Sequence, residues 1–257
     1  MNFFNNYFLN EFFMNNPILI ISILFLPLYF STGCDKVKLE PAGTLKPLKT
    51  FSLKISEPSG VALNNGKLWI VSDRKNTIYQ TDLEGNEIST IKMKIADMEG
   101  ITFVDNSLAI VKEVPREIIL IDLEGNEISR TSLQIDGSKN SGLEGITYNP
   151  VNEHFYILNE KDPVLLIETD KNLKEISRKK INNVKDLSGI SYSRKENCLW
   201  LLSDEDRKII KASLQGEFIA EYKIDVNQAE GIAIDDENNL IYVVSDKEEK
   251  LYIFENK

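Results

Sequence analysis

Histidine and cysteine are almost missing from this 257-residue sequence: His154 is the only histidine, and Cys34 and Cys198 are the only cysteines. That excludes a Cys/His cluster for zinc or a softer transition metal. Helical periodicity is missing too, since no stretch keeps a 3.6-residue apolar repeat for more than a turn or two. Positive charge is scarce: 30 Lys and Arg stand against 40 Asp and Glu, for a formal net charge of −10. Nonspecific nucleic-acid binding needs clustered cations against phosphates, so a chain this acidic suits metal cations or basic partners better. What the sequence does hold is 42% hydrophobic residues, enough for one sizeable core.

The first 33 residues carry one charge, Glu11, among many Phe, Leu, Ile and Asn. The apolar run over residues 17–30 has the length of a signal-peptide h-region and is interrupted by Pro27. A spanning helix needs about 20 residues. The run leads into 31-STGC-34, then charged sequence. Small residues ahead of a cysteine resemble a bacterial lipobox, whose cysteine is acylated after signal cleavage. Ser31 stands where an aliphatic residue is usual, and no Lys or Arg precedes the run. The expected organisation is a signal peptide over residues 1–33, a lipid-attachment cysteine and linker over residues 34–48, and one domain over residues 49–257. The expected location is the cell envelope, as a membrane-anchored lipoprotein facing the periplasm or the cell surface. The alternative is an uncleaved membrane anchor. Cys198, in the apolar run 197-NCLWLL-202, is expected as a small buried hydrophobe.

The rest of the chain repeats every 40 to 45 residues. The turn 82-DLEGNEIS-89 returns unchanged as 122-DLEGNEIS-129, with weaker copies at 170-DKNLKEIS-177 and 213-SLQGEFIA-220. A second motif opens each unit: 58-PSGVAL, 98-MEGITF, 143-LEGITY, 187-LSGISY and 229-AEGIAI. Its glycines are Gly60, Gly100, Gly145, Gly189 and Gly231. A third motif is an apolar, β-rich run ending in a carboxylate: 68-LWIVSD, 108-LAIVKE, 155-FYILNE, 199-LWLLSD and 240-LIYVVSD. Each unit parses as four short strands, here named a to d from the glycine onward, with strand d reading 87-EISTIKMKI or 127-EISRTSLQI. Four-stranded units of this length predict an all-β, five-bladed β-propeller with four antiparallel strands per blade. The fifth unit stops after its third strand, and 49-KTFSLKI-55 precedes the first glycine. That N-terminal strand is predicted to complete the last blade and close the ring.

Antiparallel strands send successive loops to alternate faces, so the lead-in to strand a and the b–c loop share one face. That face is predicted to collect Glu99, Glu144 and Glu230 from the first position, with Ser59 and Ser188 in blades one and four. The ends of strand b add Asp73, Glu113, Glu160, Asp204 and Asp246. Eight carboxylates on one rim disfavour one another's ionised forms. A hard divalent cation resolves this, and Ca²⁺ takes six to eight oxygen ligands in flexible geometry. The plainer alternative is that the strand-b acids merely cap strands, offset by Arg74, Lys112, Lys161, Arg207 and Lys247. Trp69, Trp200, Tyr156 and Tyr242 alternate along strand b and are expected in the core between blades. His154 falls in a turn on the opposite face and is expected as an exposed turn residue. Ser59 and Ser188 therefore have no imidazole within reach for nucleophilic hydrolysis.

The motifs 142-GLEGITY, 159-NEKDP, 186-DLSGISY, 228-QAEGIAID and 241-IYVVSDKEEKLYIF resemble the SdiA-regulated family of bacterial envelope proteins. The resemblance covers nearly the whole chain after residue 48 and departs in the first unit, where Ser59 replaces an acid. It implies a five-bladed propeller, distantly NHL-like, with calcium at the channel. By motif position the calcium role carries over to Glu99, Glu144 and Glu230, then to Glu113, Glu160 and Asp246. The expected function is a calcium-binding module or scaffold, tethered to the lipid bilayer through Cys34, with a protein or a phosphorylated small molecule as ligand at the channel mouth. The alternative is a calcium-dependent, phytase-like phosphomonoesterase, in which the rim cations hold phosphate. No nucleic-acid partner is expected.

Overall fold

The computed structural model describes residues 42–136 and 141–256. The segment over residues 1–33, expected as a signal peptide, and Cys34 lie outside the described residues. Every regular element among them is a β-strand. The chain opens with β1 (Gly43–Thr44) and β2 (Lys49–Ser52). Blade one is β3 (Pro58–Asn64), β4 (Lys67–Ser72), β5 (Thr77–Thr81) and β6 (Glu87–Lys92). Blade two is β7 (Met98–Val104), β8 (Ser107–Lys112), β9 (Glu117–Ile121) and β10 (Glu127–Ser132). Blade three is β11 (Leu143–Asn149), β12 (His154–Asn159), β13 (Leu165–Thr169) and β14 (Glu175–Lys180). Blade four is β15 (Gly189–Ser193), β16 (Cys198–Ser203), β17 (Lys208–Ala212) and β18 (Phe218–Lys223). Blade five is β19 (Ala229–Asp235), β20 (Leu240–Ser245) and β21 (Lys250–Glu255), completed by β2. The five-bladed propeller read from the repeat is the fold observed, with the N-terminal strand closing the last blade. Thr50 pairs with Tyr252 and Phe51 with Leu251 in that closing ladder.

The repeated turn works as its residues demand. Asp82 accepts the backbone N–H groups of Glu84 and Asn86, both at 2.9 Å, and Gly85 takes φ +84°. Asp122 does the same before Gly125 at φ +87°. The carboxylate replaces a missing ladder bond and the glycine meets the left-handed conformation without a side-chain penalty.

Three details differ from the sequence reading. The segment read as linker adds a strand: β1 runs parallel to β18, with Gly43 opposite Tyr222. Ala42 N–H donates to the Glu221 carbonyl at 2.7 Å, and Leu45 is buried among the side chains between blades four and five. An apolar side chain with a socket outweighs the turn-rich composition around it. The outermost strands are also shorter than predicted, ending at Lys92 and Ser132. Beyond them Met93, Ile95 and Leu133 leave the ladder and are buried. Finally, His154 is the first residue of β12 and half-buried, with Nδ1 2.8 Å from Glu168 Oε1. It is a partnered strand residue, not an exposed turn residue. Trp200, Tyr156 and Tyr242 are fully buried between blades and Cys198 is buried, as predicted.

The five inner strands meet around one axis through their glycines. A Cβ on Gly100 would stand 2.6 Å from the Glu144 carbonyl oxygen and 3.0 Å from the Gly145 Cα. A Cβ on Gly189 would stand 2.7 Å from the Glu230 carbonyl, and one on Gly231 would stand 2.8 Å from the Val61 nitrogen. The obstructing atoms are backbone of the next blade, which cannot step aside. Gly100→Ala is therefore expected to destabilise the fold by about 1–3 kcal/mol, lowering the melting temperature by several degrees. Thermal unfolding followed by circular dichroism reads this directly; an unchanged midpoint would refute the close approach.

Candidate functional site

Local backbone irregularity builds the acidic mouth. In blades one, two and five the register slips at the start of strand a, between Pro58 and Gly60, Met98 and Gly100, and Ala229 and Gly231. Blade three slips between Leu143 and Ile146. The residue before the glycine is thus the extra one of a β-bulge, released from pairing and re-aimed. At two of the five equivalent positions it is a serine bonded sideways. Ser59 Oγ donates to the Met98 carbonyl of the next blade at 2.7 Å, and Ser188 Oγ donates to the Ala229 carbonyl at 2.7 Å. At the other three it is Glu99, Glu144 or Glu230, and none of these carboxylates makes a hydrogen bond or ion pair among the described residues.

The acids that follow strand b are held beside them. Glu160 N–H donates to the Gly142 carbonyl at 2.9 Å and Asp246 N–H to the Gln228 carbonyl at 3.0 Å. Glu113 N–H reaches the Asp97 carbonyl at 3.4 Å. One cavity of about 210 Å³ results. All six residues singled out from the sequence line it: Glu99, Glu113, Glu144, Glu160, Glu230 and Asp246. Asp73 lines it as well. Asp204 is diverted, its Oδ1 accepting the Ala229 N–H at 3.2 Å.

Sequence reasoning missed one column of acids. Three residues before the ring glycines stand Glu57 and Asp97. Glu57 lines the cavity, and the charge of Asp97 bears on Asp73 and Glu113. The same column supplies Asp186, which is buried and spent on structure, accepting from Ser203 Oγ at 2.5 Å and from the Asp204 N–H at 3.1 Å. The repeat that exposed the E-G glutamates contained this signal two positions earlier.

Oxygens of Glu113, Glu144 and Glu160 lie within 4.8 Å of one another, the one such triple of metal-capable side chains among the described residues. Two ligands on opposite sides of a Ca²⁺ ion stand about 4.6–5.2 Å apart, so this spacing fits that ion. Glu160 also holds Lys161 Nζ at 2.8 Å. Protein encloses the three E-G carboxylates on every side but the mouth. Burial first, and neighbouring carboxylates second, push Glu99 and Glu230 up to about 8 and Glu144 well above the ordinary range. Burial also raises Glu113, Glu160, Asp73 and Asp246. The arrangement favours a bound cation with oxygen-only ligands: His154 is held by Glu168 and Cys198 is buried in an interblade core.

Comparison with known proteins places the fold. The glutaminyl cyclase of Myxococcus xanthus superposes with a TM-score of 0.67 at 11% identity, covering 84% of this chain and 97% of that one. A streptogramin B lyase gives 0.51 at 18% identity, covering 80% and 72%. A chain of a nidogen/laminin complex gives 0.53 at 15% identity, covering 76% and 78%. At these identities the likeness is one of fold alone, spread over enzymes and a binding protein. The family model described as SdiA-regulated matches residues 46–255, all five blades. The chain belongs to the SdiA-regulated family.

Proposed function

We propose that this protein is a calcium-binding propeller, tethered to the membrane of the bacterial cell envelope through Cys34, and that it serves as a binding module or scaffold. The observation that carries the reading is the gathering of carboxylates in one mouth, where Glu99, Glu144 and Glu230 make no ion pair and oxygens of Glu113, Glu144 and Glu160 lie at the spacing of a calcium shell. Glu113, Glu144 and Glu160 are assigned as the core ligands, and Glu99, Glu230 and Asp246 as the outer set that water or a second ion completes. The tether rests on 31-STGC-34 and the apolar run before it. Calcium held in this mouth offers coordination positions, otherwise filled by water, to an oxygen donor of a protein or a phosphorylated small molecule.

A calcium-dependent phosphomonoesterase is the second reading, supported by Lys161 beside the triple. Against it, Arg74, Lys161 and Arg207 are each paired with carboxylates. That leaves little positive charge for phosphate. Phytate and a generic phosphomonoester incubated with the full chain and calcium are expected to release no phosphate above background. Release abolished by Glu144→Gln would instead establish the enzyme.

Two stability measurements test the calcium reading. At saturating calcium, about 100-fold over Kd, binding contributes about 2.7 kcal/mol. The melting temperature of the full chain should therefore rise by about 5–10 °C, and Glu144→Gln should remove most of that rise. No shift and no calorimetric heat would refute the site.

The second measurement is pH dependence with calcium chelated. A carboxyl whose folded pKa is raised stabilises the fold while protonated, fully below its ordinary value and no longer above the folded one. For Glu99 and Glu230 those limits are 4.5 and about 8. Metal-free stability should fall as pH rises across that interval. Glu99→Gln should flatten the fall and raise the metal-free melting temperature at pH 8. A pH-independent midpoint without calcium would contradict the buried like-charge description.

A further inference from the structure

The axis has a second end. Below the glycine ring, where the channel is pinched to about 10 Å³, it widens again into a cavity of about 320 Å³. That falls within the range of small-ligand pockets, about 300–1,000 Å³. None of the carboxylates of the acidic mouth lines it. Its inner wall is aliphatic, from Val61, Ile101, Ile146 and Ile190, each following a ring glycine.

The fivefold repeat acts as an internal control on the rest of the lining. Two residues after the ring glycine the five blades read Ala62, Thr102, Thr147, Ser191 and Ala233. Three residues after it they read Leu63, Phe103, Tyr148, Tyr192 and Ile234. Closing a ring needs no such sidedness. Hydroxyls and aromatic rings both gather on blades two, three and four, facing an aliphatic side made by blades one and five.

The hydroxyls are poised to donate. Thr147 Oγ1 accepts the Tyr192 N–H at 3.0 Å, and Ser191 Oγ accepts the Ile234 N–H at 3.1 Å. With a lone pair occupied in each, their protons remain for another acceptor. The Thr102 hydroxyl makes no hydrogen bond among the described residues. The aromatic rings are braced from behind: Phe103 meets Trp69 edge-on at 5.3 Å, and Tyr148 packs on Phe155 at 4.8 Å. The one carboxylate lining this cavity among the described residues, Asp105, is paired with Lys171 at 2.8 Å, which also meets Glu153 at 3.4 Å. The cavity thus offers apolar surface, ring faces and donor hydroxyls, with its one lining carboxylate ion-paired.

We propose that this lower cavity is a ligand site separate from the acidic mouth, for a small neutral molecule with a ring-sized apolar body and an accepting oxygen such as a ketone or ester carbonyl. The body lies between Leu63 and Ile234 on one side and the braced aromatic rings on the other. The oxygen meets the hydroxyl row of Thr102, Thr147 and Ser191. Leu63 and Phe103, partly exposed at the rim, set the width of the opening.

Benzophenone is a neutral diaryl ketone that photolabels nearby C–H bonds, so the position of its adduct reports the site whatever detergent surrounds the full chain. Saturable labelling is expected on the inner-strand peptides carrying Leu63, Phe103, Tyr148 or Tyr192, mapped by mass spectrometry. Excess acetophenone should compete; benzoate should not, and calcium and Glu144→Gln should leave the labelling unchanged. Leu63→Trp, which fills the opening, should abolish it while the melting temperature stays near that of the parent. Should Leu63→Trp fail to fold, Thr102→Val decides: it keeps the shape, orphans no amide and should raise the labelling midpoint about 2–10-fold. Labelling that is absent from these strands, spread without saturation over the surface, or indifferent to whichever of these variants folds would overturn the proposal.

Discussion

Backbone touching backbone around a single axis is the constraint from which the rest of this structure follows. Five inner strands approach so closely that only glycine fits at the point of contact, with backbone atoms of the neighbouring blade within 3.1 Å of where a Cβ would be. Each approach except that of blade four begins with a bulge in the ladder, which turns the residue before the glycine away from its pairing partner. A side chain in that position either bonds sideways, as Ser59 and Ser188 do, or faces the enclosed mouth, as the three glutamates do. The strand-b acids are then brought alongside by their own backbone amides. Concentrated negative charge at one end of the ring is thus a product of how the ring closes, and a cation is the natural complement to it.

Much of this was legible in the order of residues. Five glycines at near-constant spacing, two identical turns and a strand count short by one at the C-terminal end led to the blade number and to the N-terminal strand that completes it. The six acids converge because topology, once known, leaves them nowhere else to go. The parts that were not legible depend on contacts distant in sequence. Nothing local marks Leu45 as a core residue; its socket is made by blades four and five. Asp204 reads like the other strand-b acids, yet it is spent on the Ala229 amide of the next blade. His154 looks like a turn residue until Glu168 arrives from the adjacent strand. Glu57 and Asp97 were within reach of the repeat itself, two columns before the glutamates, but their role needs the b–c loops that surround them.

Departures from fivefold regularity carry information at both ends of the axis. At the upper end, serine replaces glutamate in blades one and four, so the acidic cluster tightens toward blades two and three, where Glu113, Glu144 and Glu160 meet. At the lower end the hydroxyl and aromatic positions fall on three consecutive blades. The two patterns coincide on blades two and three and part on blades four and five, so each face departs from the repeat in its own way. The two mouths share the inner strands as walls: Glu99 and Ile101, or Glu144 and Ile146, line opposite mouths with only a ring glycine between them.

The seam in blade five has a consequence for how the molecule comes into being. Its outer strand is donated by residues 49–52 and its next strand by residues 250–255. Segments separated by nearly the full length of the domain thus share one sheet. During synthesis the first of these waits, unpaired, until the second has left the ribosome. Loss of either one opens the ring at the same place, so both ends are guarded by a single ladder of hydrogen bonds.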